Sequence, residues 1–199
     1  MLLLTGPPEV DRTTVLREAA EIVRGWRISA FSTERIGSDD RRGYRSVSFG
    51  DGPNVLIART DDPSEPRVDG CAVDVAAIDE IAAATLRVDP DEVDAVMVDE
   101  IGRMTCLSSQ FLDSMTDLLD APVPVVATVA EEGNGLIAEV KNRPEAMIWE
   151  VTPANRERLP AEVAAWLQDH REAVEVGPHR ADRDEPGGQE RRKQRQRKR

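Results

Sequence analysis

Leu2–Thr5 is a short unbroken apolar run that stops at Gly6-Pro7-Pro8. Runs without alternation suit strands buried on both faces of a parallel sheet. Thr13–Arg24 then carries Val15, Leu16, Ala19, Ala20 and Val23 at helical spacing and closes at Gly25, which predicts a helix. Trp26–Ser32 alternates as a strand does. Tyr44–Phe49 and Val55–Ala58 flank Gly50-Asp51-Gly52-Pro53, the signature of a β-hairpin. Asp74 is placed to cap a helix over Val75–Arg87, with Ile78, Ile81, Ala82 and Leu86 on one face.

The second half repeats the rhythm. Val93–Val98 is another buried-type strand, and it ends in Asp99-Glu100. Ser108 or Ser109 can cap a helix carrying Phe111, Leu112, Met115, Leu118 and Leu119. Pro124–Val129 is a third apolar strand, its proline at the start where a missing N–H does least harm. A short helix around Leu136–Val140, a strand over Ala146–Val151 and a helix over Pro160–Gln168 complete the pattern. Strands alternating with helices predict an α/β fold: a three-layer αβα sandwich on a mostly parallel sheet, with one inserted hairpin. The domain is expected over residues 1–169. Residues 170–199 read as a tail, and 177–199, with almost nothing apolar, as disordered.

Composition narrows the class. The chain has 199 residues, of which 40% are apolar and 32% charged, a globular balance. No apolar run approaches the roughly 20 residues that span a bilayer. Met1-Leu2-Leu3-Leu4 has no basic stretch before it and is too short for a signal peptide, so a cytoplasmic location and no membrane partner are expected. Cys71 and Cys106 form no C-x-x-C pair and read as reduced thiols. His170 and His179 lie near the tail, so histidine-dependent catalysis within the domain is not expected.

Charge adds a second constraint. The formal net charge is −12, yet residues 189–199 alone carry seven Lys/Arg and one Glu; removing that +6 leaves −18 on residues 1–188. Only Lys141, Lys193 and Lys198 are lysines. A dense acidic, lysine-poor surface suits a salt-rich medium, where self-repulsion is screened. It argues against nucleic-acid binding by the domain itself, which needs a basic face. Only the basic end, residues 191–199, offers phosphate contacts for RNA.

Candidate chemistry lies at two strand ends. The first strand-to-helix turn reads Thr5-Gly6-Pro7-Pro8-Glu9-Val10-Asp11-Arg12-Thr13-Thr14. Against the phosphate-loop pattern G-x-x-x-x-G-K-[ST], Gly6 and Thr13 fit, while Asp11 stands at the second glycine and Arg12 at the lysine. The strand Val93–Val98 delivers Asp99 and Glu100 at its carboxyl end, where open α/β sheets bind ligands. One carboxylate there can hold Mg²⁺ through water while its neighbour prepares an attacking water.

In this order the segments resemble the small thermophile-type nucleoside-triphosphatases, the group that includes the human cancer-related NTPase. The likeness runs over roughly residues 1–165. It rests on Thr5–Pro8, Arg67–Val73, Val98-Asp99-Glu100-Ile101-Gly102-Arg103-Met104, Pro124–Thr128 and Val151-Thr152-Pro153-Ala154-Asn155-Arg156. The resemblance implies a P-loop NTPase-type fold and Mg²⁺-dependent hydrolysis of ATP, GTP and other nucleoside triphosphates. Carried over by position, Gly6, Pro7, Pro8, Glu9, Val10, Asp11, Arg12, Thr13 and Thr14 would wrap the phosphates, with Asn155 and Arg156 also on the nucleotide. Thr13 and Asp99 would serve the metal, and Glu100 and Arg12 the chemistry.

The family's usual loop is G-P-P-G-V-G-K-T-T, so Glu9, Asp11 and Arg12 are departures. A carboxylate at Asp11 about 4 Å from a phosphate oxygen costs on the order of 4 kcal/mol at an effective dielectric of 20. Arg12 keeps the charge but not the compact shape of lysine, and can pair with Asp11 or Glu9. Arg103 and Arg156 can lend charge to phosphates or sit as solvated surface groups. Three expectations follow: a triphosphatase with depressed turnover, a nucleotide-binding or scaffold protein without turnover, or an RNA-associated factor working through residues 191–199.

Overall fold

A computed structural model describes residues 1–38 and 41–176; the tail expected to be disordered, 177–199, lies outside the described residues. Among the described residues nine strands and five α-helices follow one another. Strand β1 (Leu2–Thr5) leads through the first turn into α1 (Arg12–Ile22), then β2 (Ile28–Ile36). Next come β3 (Gly43–Ser48), β4 (Asn54–Arg59), β5 (Arg67–Val68), β6 (Cys71–Val73) and α2 (Val75–Thr85). The second half holds β7 (Ala95–Ile101), α3 (Ser109–Leu119), β8 (Val125–Val129), α4 (Leu136–Asn142), β9 (Met147–Glu150) and α5 (Leu159–Val176).

All nine strands share one sheet in the order β5-β6-β4-β3-β2-β7-β8-β1-β9. From β2 to β9 every pairing is parallel, and from β2 to β5 every pairing is antiparallel. β2 belongs to both halves. Ile28–Phe31 pair with β7, whereas Ser32–Ile36 run past that partner and pair only with β3. The antiparallel part is thus larger than the single hairpin expected, because Arg67–Val68 and Cys71–Val73 add a second one. Strands of two and three residues leave too little alternation to read.

The apolar runs divide their side chains between two cores. Leu3, Val96, Val98, Val125, Ala127 and Val129 meet α2, α3 and α4, while Leu2, Leu4, Ala95, Met97 and Val126 meet α1 and α5. Period-two alternation within continuously apolar strands therefore feeds both faces, which is the three-layer αβα sandwich expected. Caps fall where the sequence places them. Asp74 accepts from Ala77 N at 3.1 Å, and it is Ser108, not Ser109, that accepts from Phe111 N at 2.8 Å.

Helix α5 runs beyond the predicted Gln168 to Val176. Its polar end is held by one contact within the helix and two beyond it: His170 stacks on Trp166 one turn back, Arg171 lies 4.6 Å above the Trp26 ring, and Arg171 approaches Asp94 at 3.6 Å. Among the described residues no helix is long and apolar enough to cross a membrane.

Candidate active site

The carboxyl ends of β1, β2, β7 and β8 open onto a cleft of about 1290 Å³. The first turn forms one wall. Gly6 has φ +143°, and a Cβ there would lie 2.6 Å from the Val151 carbonyl oxygen, so only glycine fits between β1 and the end of β9. Val10 is buried beneath the loop and packs in the α1/α5 core, while Glu9 points to solvent. Asp11 is the one loop residue besides Gly6 with positive φ (45°). Of the two replaced glycines, only the one at Asp11 is therefore called for by the backbone. Asp is among the few side chains that tolerate this region.

Asp11 also caps α1. Its carboxylate accepts from Thr14 N at 3.2 Å and from Thr14 Oγ1 at 2.6 Å, taking an orphan N–H of the first helical turn. An anion bound at this helix start would compete with it for the same donor.

Arg12 reaches across the cleft. Its Nη1 donates to the Val129 carbonyl at 2.8 Å and its Nη2 to Glu100 Oε2 at 3.0 Å. The pairing with Asp11 or Glu9 expected from proximity is thus replaced by one with a residue 88 positions away. The planar guanidinium satisfies a carbonyl and a carboxylate together, which an ammonium on a thin stem does less well.

Asp99 is the most enclosed charged residue among those described, at 4% exposure. Thr13 Oγ1 donates to it at 2.7 Å, Thr33 N at 3.3 Å, and Thr128 Oγ1 completes the set. Burial pushes its pKa up, opposed by these hydrogen bonds. Glu100 retains 35% exposure and opens to the cleft. Its pKa is raised by loss of water around it; Arg12 pulls it back and neighbouring Asp99 adds to the rise. Close by, Cys106 is pushed up to about 11 by burial and is inert as a nucleophile.

Other expected residues lie apart. Asn155 accepts from Thr152 N at 2.8 Å and donates to the Glu150 carbonyl at 2.9 Å, holding the turn between β9 and α5 outside the cleft lining. Arg156 is exposed on that turn. Arg103 lines the cleft and pairs with Asp69 at 2.6 Å. Two features went unread in the sequence. Thr33 and Thr128 hold Asp99, and Lys141 donates to the carbonyls of Ala130 and Glu131, at 2.7 Å each, fastening the lip that carries Glu131 and Glu132. Threonines inside apolar strands, Thr33 and Thr128, were the available signal.

Comparison with known proteins follows the same frame. A model of the NTPase family matches residues 1–164. The chain belongs to the NTPase family. It is 31% identical over 171 residues to a nucleoside-triphosphatase THEP1 of Thermotoga sp. (strain RQ2), covering 85% of this chain and 97% of that protein. It is 28% identical over 186 residues to the human cancer-related nucleoside-triphosphatase, covering 85% and 97%. Among solved structures, the crystal structure of THEP1 from the hyperthermophile Aquifex aeolicus superposes with a TM-score of 0.76 at 28% identity, covering 84% of this chain and 99% of that one. The fold is thus the P-loop NTPase type that the sequence suggested.

Proposed function

We propose that this NTPase-family chain binds nucleoside triphosphates with Mg²⁺ in the cleft and hydrolyses the terminal phosphoanhydride slowly. The observation that carries the reading is the joining of Thr13, at the start of α1, with Asp99 and Glu100 of β7 at the carboxyl edge of the sheet, with Thr13 Oγ1 2.7 Å from Asp99. Magnesium takes hard oxygen ligands and is commonly held by one or two protein oxygens plus substrate phosphates. The Thr13 hydroxyl and the Asp99 carboxylate suit that demand. Among the described residues no cluster of three or more His, Cys, Asp or Glu side chains could hold an ion unaided, which fits an ion arriving with the nucleotide. When bound, the metal would offset charge developing on the phosphates.

The chain's own groups supply the rest. Glu100 orients a water and accepts its proton as the water attacks the terminal phosphorus. Backbone N–H groups of the Gly6–Thr14 turn bind phosphate oxygens. Slow turnover follows from the loop's existing partners: Arg12 is held by Glu100 and Asp11 occupies the helix start. The same contacts favour the alternative of a nucleotide-binding protein without turnover.

Phosphate release from Mg²⁺-ATP and Mg²⁺-GTP in high salt, compared between wild type and Glu100→Gln, separates the two. Slow release that falls about 100-fold or more in the variant is expected. Background release in both proteins, with nucleotide still bound, would establish the alternative.

A further inference from the structure

The lip that follows β8 lies along the cleft between the Gly6–Thr14 loop and Glu100. Sheet order puts it there, because β8 stands between β1 and β7. All of its residues from Ala130 to Asn134 line the cleft. Both of its ends are tied down. Ala130 N donates to the Ile101 carbonyl at 3.1 Å, and Gly133 lies flat on buried Ile137, whose Cδ1 would stand 2.5 Å from a Cβ there. Between them reaches Lys141 from the last turn of α4, its Nζ on the Ala130 and Glu131 carbonyls at 2.7 Å each.

This lysine differs from the arginines of the cleft. Arg12, Arg17 and Arg103 are each held by a carboxylate, whereas Lys141 binds carbonyl oxygens and does not itself line the cleft. The peptide groups it binds are trans, and a trans peptide is planar, with its C=O and the next N–H on opposite sides. Turning the Ala130 and Glu131 carbonyls to Lys141 therefore turns the Glu131 and Glu132 N–H groups away from it. The side away from Lys141 is the cleft, which the lip lines and the lysine does not. No described residue accepts from either N–H. Successive backbone N–H groups aimed one way are the donor geometry of an anion nest. Such donors need no side-chain cation, so the pairing of the arginines does not weaken them. The carboxylates of Glu131 and Glu132 oppose an anion, but both residues are exposed, where salt screens charge.

We propose that Lys141 positions the lip as a second phosphate-binding element, in which the Glu131 and Glu132 N–H groups hold the terminal phosphate of a nucleoside triphosphate. This rests on the reading of the Gly6–Thr14 loop as the site of the inner phosphates. The order loop, lip, Glu100 along the sheet edge brings the last phosphate of such a ligand past the lip on its way to Glu100. Lys141 touches no phosphate. It acts through the two peptide groups that it orients, and its positive charge behind them strengthens both as donors. A diphosphate ends before the lip, so the element distinguishes triphosphate from product.

The test titrates the full-length protein, by calorimetry, with Mg²⁺-ADP and with the Mg²⁺ complex of the non-hydrolysable β,γ-imido analogue of ATP. Lys141→Met should weaken the analogue about tenfold or more, the usual loss for hydrogen bonds to a charged group, while ADP stays within about twofold. Lys141→Arg should recover most of that affinity, because a guanidinium also reaches two carbonyls. In the lip itself, Glu132→Pro deletes one N–H and should weaken the analogue selectively. Glu132→Ala keeps the N–H, removes a carboxylate and should bind the analogue at least as well as wild type. Melting curves of all four variants guard against a folding defect, and if Lys141→Met does not fold, the two Glu132 variants decide. Equal losses for ADP and the analogue in a folded Lys141→Met would overturn the proposal, since the lysine would then only support the fold. Wild-type affinity for the analogue in Glu132→Pro would overturn it too. Either result leaves the loop reading standing, because wild type still binds nucleotide. A wild type that binds neither ligand would overturn both.

Discussion

The two strand ends that make the site are built on opposite plans. At the end of β7, Asp99 receives three converging donors, two from the neighbouring strands β2 and β8 and one from the first turn of α1. At the end of β1, the turn keeps its backbone course through Gly6 and Asp11, but its Asp11 and Arg12 side chains are engaged by partners already present, Thr14 and Glu100. The difference separates what packing enforces from what ligand binding needs. Gly6 is required by the Val151 carbonyl whether or not a nucleotide is bound. Nothing in the packing requires Asp11 to be charged or Arg12 to be an arginine.

This contrast can be broken from either side. The largest effect is expected from the β7 end, where Glu100→Gln should remove turnover about 100-fold or more yet keep the melting temperature within a few degrees, as measured by phosphate release and thermal unfolding. At the other end, Asp11→Gly should tighten nucleotide binding by about 10- to 100-fold, read by titration calorimetry. That is less than the full cost of a carboxylate beside a phosphate, because Asp11 is exposed and screened. Its loss as a cap should weaken folding by only a few tenths of a kcal/mol, since glycine accepts both the cap position and the positive φ.

Arg12→Lys should raise kcat by roughly five- to tenfold, because an ammonium bridges Val129 and Glu100 less well and frees the carboxylate for water. Steady-state kinetics at fixed Mg²⁺ would show it; an unchanged or lower kcat would mean that the Arg12–Glu100 pair does not restrain turnover.

The smallest effect concerns pH. Glu100 has its folded pKa raised chiefly by lost hydration. An acid of this kind favours the folded state while protonated. Its contribution is fully present below the unfolded value of about 4.3 and is lost as pH rises through the higher folded value. Urea unfolding without Mg²⁺ should therefore show Glu100→Gln gaining on wild type as pH rises above about 4.3, until Glu100 is ionised in the folded protein. A gap that stays constant or reverses would contradict the raised value.

Much of this was legible in the residues. Alternation inside apolar runs and the caps at Asp74 and Ser108 are local signals and fell where chemistry places them, whereas Asp99 and Glu100, expected after the strand Val93–Val98, lie within β7, which runs on to Ile101. The Arg67–Val73 hairpin was visible only as a family segment, since three residues of strand carry no period. Arg12 was read as a neighbour's partner because sequence shows neighbours; Glu100 is near only once the sheet has formed. Thr33 lay one residue past the expected strand Trp26–Ser32, and Thr128 passed as an ordinary residue of Pro124–Val129, until Asp99 stood between them. The far end of α5 was missed for the same cause: His170 and Arg171 look solvated until Trp166, Trp26 and Asp94 are in place.

The position of β1 bears on how the chain comes to fold. Among the described residues it pairs with β8, Val125–Val129, and β9, Met147–Glu150, both more than a hundred residues further along the chain. During synthesis from the amino end, the antiparallel strands β2–β4 are adjacent in sequence and able to assemble early, while the first strand waits. The Gly6–Thr14 turn hangs from that waiting strand. Nascent chains that stop short of β9 should therefore be blind to nucleotide, and binding competence should arrive late and all at once, with the strand that closes the sheet.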